Sequence, residues 1–473
     1  VIVRTASGDV RGVAENGVTV FRGVPYAEPP DGPLRFAAPR PAEAWDGVRD
    51  AGRFGPPPPQ PTSPFSGLPG WTPEEGMDCL TVNVWTPGGG GLPVLVWLYG
   101  GAYVVGHSGQ PEYDGARLAA DGAVVVTLNY RLGVQGFGAV PGAPANRGLL
   151  DQVAGLRWVA DNIAAFGGDP SNVTVFGESA GAGSIAALLA MPSARGLFRR
   201  AIAQSVPGTF FSPALADRVA RAIAGRLEVP LVEAPIEDVL RATGEATGAM
   251  MGDHETWGPI AYTPTMFSPV VDGEVLPETP WEALRSGAAR DVQVIAGFTR
   301  DEYRMFVHDP VSEEALATAM RVLGPPDAGA SYRAAYPDAS AFDLYVTLIS
   351  DWLFRMPTAS LADAHAEGGG TVHLYELCWA PGPLGAHHGL DVPLTFGNLA
   401  ATDVPGASEE AEALSEQFRS AWLSFARTGD PGWPAYTPDT PVTHVFDAKP
   451  GEVDAPEPAS RRIWDGHGFP PLP

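Results

Sequence analysis

Ser179 sits at the centre of Gly177-Glu178-Ser179-Ala180-Gly181, and its surroundings suit it to nucleophilic chemistry. Before it, Val173, Val175 and Phe176 belong to an apolar, β-branched run that predicts a strand, and Gly177 breaks the run. After it, Ile185, Leu188, Leu189 and Met191 predict a helix that stops at Pro192. A serine on so sharp a strand-to-helix turn carries its Oγ clear of the backbone, and glycines two residues to either side let strand and helix cross closely. The free N–H groups of the helix N-terminus point at the same spot, where they can stabilise an oxyanion. The pentapeptide alone is weak evidence. With 57 glycines in 473 residues, a chance match has an expectation of roughly a third, so the motif counts only in its context.

Such a serine needs a rigid frame. Val94–Leu98 and Val124–Leu128 are short unbroken apolar runs, the pattern of central parallel strands covered on both faces. Asp78–Trp85 alternates like a strand and Val292–Ala296 reads as another. Asp151–Phe166 carries Val153, Leu156, Val159 and Ile163 at helical spacing before Gly167-Gly168 ends it. Alternating strands and helices predict an α/β protein with a mostly parallel central sheet flanked by helices. A length of 473 residues divides into about three average domains, yet α/β enzymes with insertions often keep one sheet at this size. A single catalytic domain over 1–473 is expected, with the stretches 206–290 and 304–365 as helical insertions over the site.

Hydrophobic residues make up 45% of the chain and charged ones 18%, a balance that can bury a large core and argues against disorder. With 30 basic and 55 acidic residues, the formal net charge is −25. Such a field repels nucleic acid and anionic membranes and weakly attracts cationic ligands. Cys79 and Cys378 are the only cysteines, too few for a disulfide framework. The uncharged stretch 93–106 is interrupted by Gly100-Gly101 and too short to span a bilayer. The chain opens on Val1-Ile2-Val3-Arg4 without a signal-peptide pattern, and a cytoplasmic place is expected; the missing initiator Met leaves room for an upstream segment, so secretion stays open.

The longer string Asn162-Ile-Ala-Ala-Phe-Gly-Gly-Asp-Pro-Ser-Asn-Val-Thr-Val-Phe-Gly-Glu-Ser-Ala-Gly-Ala-Gly-Ser184 resembles the type-B carboxylesterase and cholinesterase family, most closely its bacterial, para-nitrobenzyl esterase-like branch. The likeness runs through most of the chain. It implies an α/β-hydrolase fold and the chain order serine, acid, histidine. For the acid, Gly297-Phe298-Thr299-Arg300-Asp301-Glu302 resembles the family's Asp-Glu-Gly box, which implies Glu302 and leaves Tyr303 where the family has Gly. On its own an Asp-Glu pair is more often solvated surface. For the base, Gly385–Gly397 resembles the family's histidine box, and counting back from Asp391 selects His388 over His387.

The same resemblance extends to supporting residues. Trp97–Tyr103 is similar to the family's oxyanion loop with Tyr99 in place of a His, which implies the backbone N–H groups of Gly101, Ala102 and Ala180 as donors. Ser205 and Asp391 match positions that support the histidine, with Val206 replacing a Gly beside the first. Arg131 and Asp169 match a structural ion pair. Asp78-Cys79-Leu80 matches a box that normally opens with Glu, here Met77; no cysteine stands upstream, so Cys79 is expected to be a buried, inert thiol. The Pro-rich loop 54–76 is expected to overhang the gorge. Trp71 on it resembles the cholinesterase tryptophan that holds a quaternary ammonium, and Trp71 and Tyr103 are candidates for the substrate pocket, although a lone tryptophan on such a loop is more often an apolar wall.

The resemblance implies a serine carboxylesterase acting on short-chain or aromatic esters, as monomer or homodimer, with no metal or cofactor. Amide or carbamate hydrolysis by the same machinery is the alternative. The family's non-catalytic adhesion relatives lose the serine, whereas this chain keeps all three triad positions.

Overall fold

The computed structural model describes residues 1–62, 68–401 and 408–473. The stretch 63–67 of the Pro-rich loop expected over the gorge lies outside the described residues. Val13–Glu15 (β1), Val18–Pro25 (β2), Thr81–Thr86 (β3), Leu92–Leu98 (β4), Val124–Leu128 (β5), Gly168–Glu178 (β6), Arg200–Gln204 (β7), Gln293–Thr299 (β8), Val372–Leu377 (β9), Val442–Phe446 (β10) and Gly451–Asp454 (β11) form one sheet. Its order is β11-β10-β9-β8-β7-β6-β4-β5-β3-β2-β1. The strands from β10 across to β5 are mutually parallel, and both flanks are antiparallel. A smaller sheet joins Ile2–Arg4, Asp9–Arg11 and Val48–Asp50.

β4 and β5 are the unbroken apolar runs, and Val94, Leu95, Val96, Val124, Val125 and Val126 are fully buried, as strands covered by helices on both faces must be. Three boundaries differ from the sequence expectation. β3 begins at Thr81, because Cys79 N donates to Met77 O at 2.8 Å and Thr81 N to Cys79 O at 2.9 Å, which curls the chain ahead of it. β8 runs on through Gly297 to Thr299; Tyr375 of β9 lies against that glycine, where a Cβ would meet the ring at 2.0 Å.

The helix expected over 151–166 is Arg147–Asn162 (α1), followed by a 3-10 turn, Ile163–Phe166. Its start was hidden by Arg147, which is fully buried and donates to the carbonyls of Val134, Gln135, Gly138 and Pro144. Those carbonyls include ones at the end of the short helix Gly133–Phe137 that have no intrahelical partner. A pattern built on apolar residues does not see a buried guanidinium. Helices fill the connection from β7 to β8 (Pro213–Ala224, Ile236–Met250, Pro280–Arg285) and from β8 to β9 (Glu313–Leu323, Ala328–Ala335, Ala341–Ser350, Met356–Glu367). Among the described residues no helix is long and apolar enough to cross a membrane.

The ion pair expected between Arg131 and Asp169 does not form. Arg131 pairs with Asp151 of α1: Nη2 to Oδ1 at 2.7 Å and Nε to Oδ2 at 2.8 Å, a bidentate bridge with almost no exposed surface. Its Nη1 also donates to Ala37 O at 2.8 Å, tying the N-terminal segment to α1. Asp169 instead accepts from Ser171 N and Oγ, which closes its own turn. Cys79 is fully buried, and burial pushes its thiol above the usual range, which makes it unreactive. Removing one partner of a buried pair leaves an uncompensated charge, so Asp151→Ala should destabilise the fold by about 3–5 kcal/mol. Asp169→Ala should cost no more than about 1 kcal/mol. Denaturant midpoints of the two variants measure the difference.

Candidate active site

β6 ends at Glu178, and Ser179 follows in a left-handed conformation, φ 56° and ψ −123°, before the helix Ala180–Ala190 (α2). That backbone is unfavourable for a residue with a Cβ, by roughly 1–3 kcal/mol, and persists only where neighbours enforce it. Here Ser179 N donates to Gln204 O at the end of β7, and its own carbonyl accepts from Gly183 N, both at 2.9 Å. A Cβ on Gly181 would lie 1.9 Å from Leu98 O, so α2 crosses the end of β4 at a distance only glycine permits.

The chain leaving β4 is strained in the same way. Gly101, Ala102 and Tyr103 all have positive φ, at 112°, 56° and 60°. A Cβ on Gly101 would meet Val105 O at 2.0 Å. The loop is backed by Tyr99, stacked on Tyr130 with centroids 4.5 Å apart, while Tyr130 Oη donates to Tyr99 O at 2.6 Å. Tyr99 thus fills the family's His position as a packing residue. The N–H groups of Gly101 and Ala102 have no partner among the described residues, and the N–H of Ala180 belongs to the first turn of α2, which has no intrahelical acceptor. Gly101 and Ala102 line the same cavity as Ser179 and His388. The N–H groups of Gly101 and Ala102 in the cavity wall, with that of Ala180 next to Ser179, can bind an oxyanion.

Glu302 opens a 3-10 turn after β8, Glu302–Phe306, and is fully buried. Its Oε1 accepts from Ser205 Oγ at 2.6 Å and Thr299 N at 2.9 Å, and its Oε2 lies 2.5 Å from His388 Nδ1. Tyr303, which replaces the family's Gly, is not among the positive-φ residues, so this turn accommodates a side chain. Asp301 holds the histidine loop: its N donates to Ala386 O and its Oδ2 accepts from Ala386 N, both at 2.9 Å. His387 turns its Nδ1 to the His388 carbonyl and makes no contact with Glu302. Asp391 is buried behind the site, with Oδ2 accepting from Tyr375 Oη at 2.6 Å; it acts on His388 by charge, not by direct contact.

On its other side, His388 Nε2 lies 3.0 Å from Oε1 of Glu178, the residue before Ser179. Glu178 is 7% exposed, Oε1 accepts no well-directed hydrogen bond, and burial pushes its carboxyl up to about 8. Burial pushes His388 down, but the negative charges of Glu178 and Glu302 outweigh it and lift the imidazole to about 9. Glu178 and His388 therefore act on each other's protonation: with Glu178 protonated, its pull on His388 is gone. Phe354 stacks on the imidazole with centroids 4.2 Å apart and planes at 27°. It belongs to a single π-turn, Asp351–Arg355, braced by the buried Arg355–Asp351 pair at 2.6 Å and by Tyr332 Oη donating to Asp351 Oδ2 at 2.6 Å.

A model of the carboxylesterase family matches residues 1–323 and 330–452. The para-nitrobenzyl esterase of Bacillus subtilis (strain 168) is 39% identical, with 98% of each chain covered. The phenmedipham hydrolase of Pseudarthrobacter oxydans is 38% identical over 96% of each. A solved thermophilic PNB esterase superposes with a TM-score of 0.87 at 38% identity, covering 98% of this chain and 99% of its own. The chain belongs to the carboxylesterase family. It has the α/β-hydrolase fold and is a carboxylic-ester hydrolase.

Two of the residues expected at this carboxylesterase's pocket are elsewhere. Trp71 is not among the cavity-lining residues: it is buried against its own loop, with Nε1 donating to Gly76 O at 2.9 Å. The side chain of Tyr103 points away into the core, packed on Phe137 and filling the space beside Gly183, although its backbone continues the oxyanion loop. Glu178 and Phe354 are what the sequence reading missed. The first is the unassigned second position of the serine pentapeptide, where any residue satisfies the motif; the second is one apolar residue in a helical stretch, and only the i, i+4 pair Asp351 and Arg355 hints at a brace. Because the Glu178 charge raises the imidazole, Glu178→Gln should move the His388 titration to lower pH. The ring resonances of His388 followed by NMR measure this, and an unchanged midpoint would contradict the mutual effect.

Proposed function

We propose that this carboxylesterase works through a Ser179–His388–Glu302 triad and an acyl-enzyme. The observation that carries the reading is the 2.5 Å contact between Glu302 Oε2 and His388 Nδ1, made in the wall of a cavity of about 270 Å³ that also contains Ser179. With Nδ1 held by Glu302, Nε2, which lies 3.0 Å from Oε1 of Glu178 beside Ser179, is the nitrogen left to act as the base. His388 takes the Ser179 proton as Oγ attacks the ester carbonyl, and Glu302 fixes the tautomer and stabilises the imidazolium. The carbonyl oxygen becomes an oxyanion received by the N–H groups of Gly101, Ala102 and Ala180. His388 then protonates the departing alcohol, and in the second half it activates the water that hydrolyses the acyl-enzyme. No metal or cofactor is needed for these steps.

Ser205 and Thr299 act by holding Glu302, and Phe354 offers the imidazolium an aromatic face, worth about 0.5–2 kcal/mol when the charge forms. The substrates are neutral short-chain or aromatic esters. Tyr113, Met305, Leu353, Phe354 and Val392 make the wall largely apolar, and Trp71 supplies no cage for a quaternary ammonium.

Ser179→Ala and His388→Ala should each abolish ester turnover, His387→Ala should be mild, and the Ser179/His388 double variant should be little worse than either single one. Glu302→Gln should remove most activity with the fold intact, whereas Asp301→Asn, which keeps an oxygen to accept from Ala386 N, should retain it. A fluorophosphonate probe should label the wild-type chain at Ser179 and leave the alanine variant unlabelled. Labelling elsewhere, or an indispensable His387, would sink the assignment. Neutral aromatic esters should be hydrolysed at least as well as choline esters, and Trp71→Ala should not change that ratio.

A further inference from the structure

The cavity in front of Ser179 has two carboxyl groups in its wall, those of Glu112 and Glu178, and among the described lining residues there is no Lys or Arg. Glu112 lies on the 3-10 turn Pro111–Tyr113 and its carboxylate is positioned: Gln110 Nε2 donates to Oε1 at 2.5 Å, while Gln110 Oε1 is anchored by His107 N at 2.9 Å. The Glu112 carbonyl accepts from Asn398 Nδ2 at 3.1 Å, which fixes the turn from outside. Glu178 stands deeper, 7% exposed, with Oε1 unpartnered by any well-directed donor. Tyr113 lies within reach of both charges: burial first, then Glu112 and Glu178, push its phenol well above the usual range. The two carboxylates therefore act on one patch of wall. Among the described lining residues the only cation is His388 when protonated, and Glu178, Glu302 and Asp391 all act on it.

We propose that Glu112 is a specificity-determining residue, a charge filter that rejects esters carrying a free carboxylate and passes neutral ones. This rests on the serine-esterase reading above. A carboxylate entering the cavity loses its water, meets a fixed like charge in a medium of low dielectric, and finds no guanidinium or ammonium to replace the lost hydration. Glu112 is the half-buried member of the pair, still in contact with solvent, while Glu178 is 7% exposed. The same repulsion has a second effect. Hydrolysis turns a neutral ester into a carboxylate inside this cavity, and the acid product is driven out by the wall that would have kept it from entering.

The test uses the full chain and two esters of nearly the same shape, methyl 4-carbamoylbenzoate and the monomethyl ester of terephthalic acid, which differ in one charge. The wild-type enzyme should show the higher kcat/KM on the carbamoyl ester. Glu112→Gln should narrow the ratio by roughly tenfold, through KM for the carboxylate ester, and Glu112→Arg should narrow it further. Added salt should narrow the wild-type ratio and act less on Glu112→Gln. An unchanged ratio in both variants, with the carbamoyl ester still turned over, overturns the filter and leaves the esterase reading standing. Loss of both esters in both variants also overturns it, since Glu112 would then serve the reaction itself. A wild-type chain that cleaves neither ester and refuses the fluorophosphonate overturns the esterase reading and the filter with it.

Discussion

A carboxylate with no exposed surface needs donors to replace its water, and the donors that Glu302 receives organise the site. Ser205 comes from the end of β7, Thr299 from the end of β8, and His388 from the loop after β9, so one side chain sets the mutual positions of three segments far apart in sequence. An unpaired charge buried there would cost several kcal/mol, which no single surface contact offsets. The sheet supplies the precision. Gln204 and Gly297 are partners in the parallel register of β7 and β8, so Ser205 and Thr299 emerge at the same edge, and Ser205 N donates to Gly297 O at 2.7 Å. Asp301 then pins the histidine loop from the adjoining turn. Glu302, its supports and His388 are one hydrogen-bonded unit built on the carboxyl ends of neighbouring strands, where open parallel sheets leave room for a ligand.

Around that unit the protein gathers more negative charge than one imidazolium can answer. Glu302, Glu178 and Asp391 all act on His388, and the number of donors distinguishes them. Glu302 has two donors besides the imidazole. Asp391 has the Tyr375 phenol, and Glu178 has no well-directed donor on Oε1; for both, burial drives the carboxyl upward. A proton on Glu178 suits ester hydrolysis, because the reaction places an oxyanion beside the elbow, and a neutral neighbour does not oppose it. Glu178 belongs both to the cavity wall and to the surroundings of the base, where it sets how tightly the imidazole holds its proton; Glu112 lies in the wall and does not act on His388.

The parts of this arrangement that were legible in sequence are those fixed by local pattern. Runs such as Val124–Leu128 are strands because an unbroken apolar segment that short is stable only between two layers of helix. The serine elbow is legible because its glycines answer a steric demand, visible as the contact between Gly181 and Leu98 O. Glu302 and His388 were found by resemblance, since neither has a local reason to be chemical. What escaped depends on where long side chains reach. Arg131 has Asp151 and, further along the chain, Asp169 as candidate partners, and the packing of α1 against the segment 35–37 decides for the first. Trp71 is placed by a loop with no periodicity to read, and its indole N–H finds a carbonyl within that loop rather than a ligand.

Strain and rigidity in this site are two sides of one constraint. Of the nine non-glycine residues with positive φ among the described residues, four are Ala102, Tyr103, Ser179 and Ser205, in the loop after β4, the serine elbow and the support of Glu302. Each is unfavourable alone, by roughly 1–3 kcal/mol, so the four together would consume a large share of ordinary folding stability unless the surroundings left no alternative. The surroundings leave none. The approaches at Gly101 and Gly181 bring backbone against backbone, and Tyr99, Tyr103 and Tyr130 fill the space behind the loop with rings that are almost fully buried. A side chain at Gly101 would run into Val105 O, and one at Gly181 would lift α2 from Leu98 O at the end of β4. Donors held in this way do not need to reorganise when charge appears in front of them, which is what makes backbone N–H groups effective in binding an oxyanion. The large core under the elbow therefore has a chemical purpose as well as a structural one: it keeps strained backbone from relaxing away from the geometry that the reaction requires.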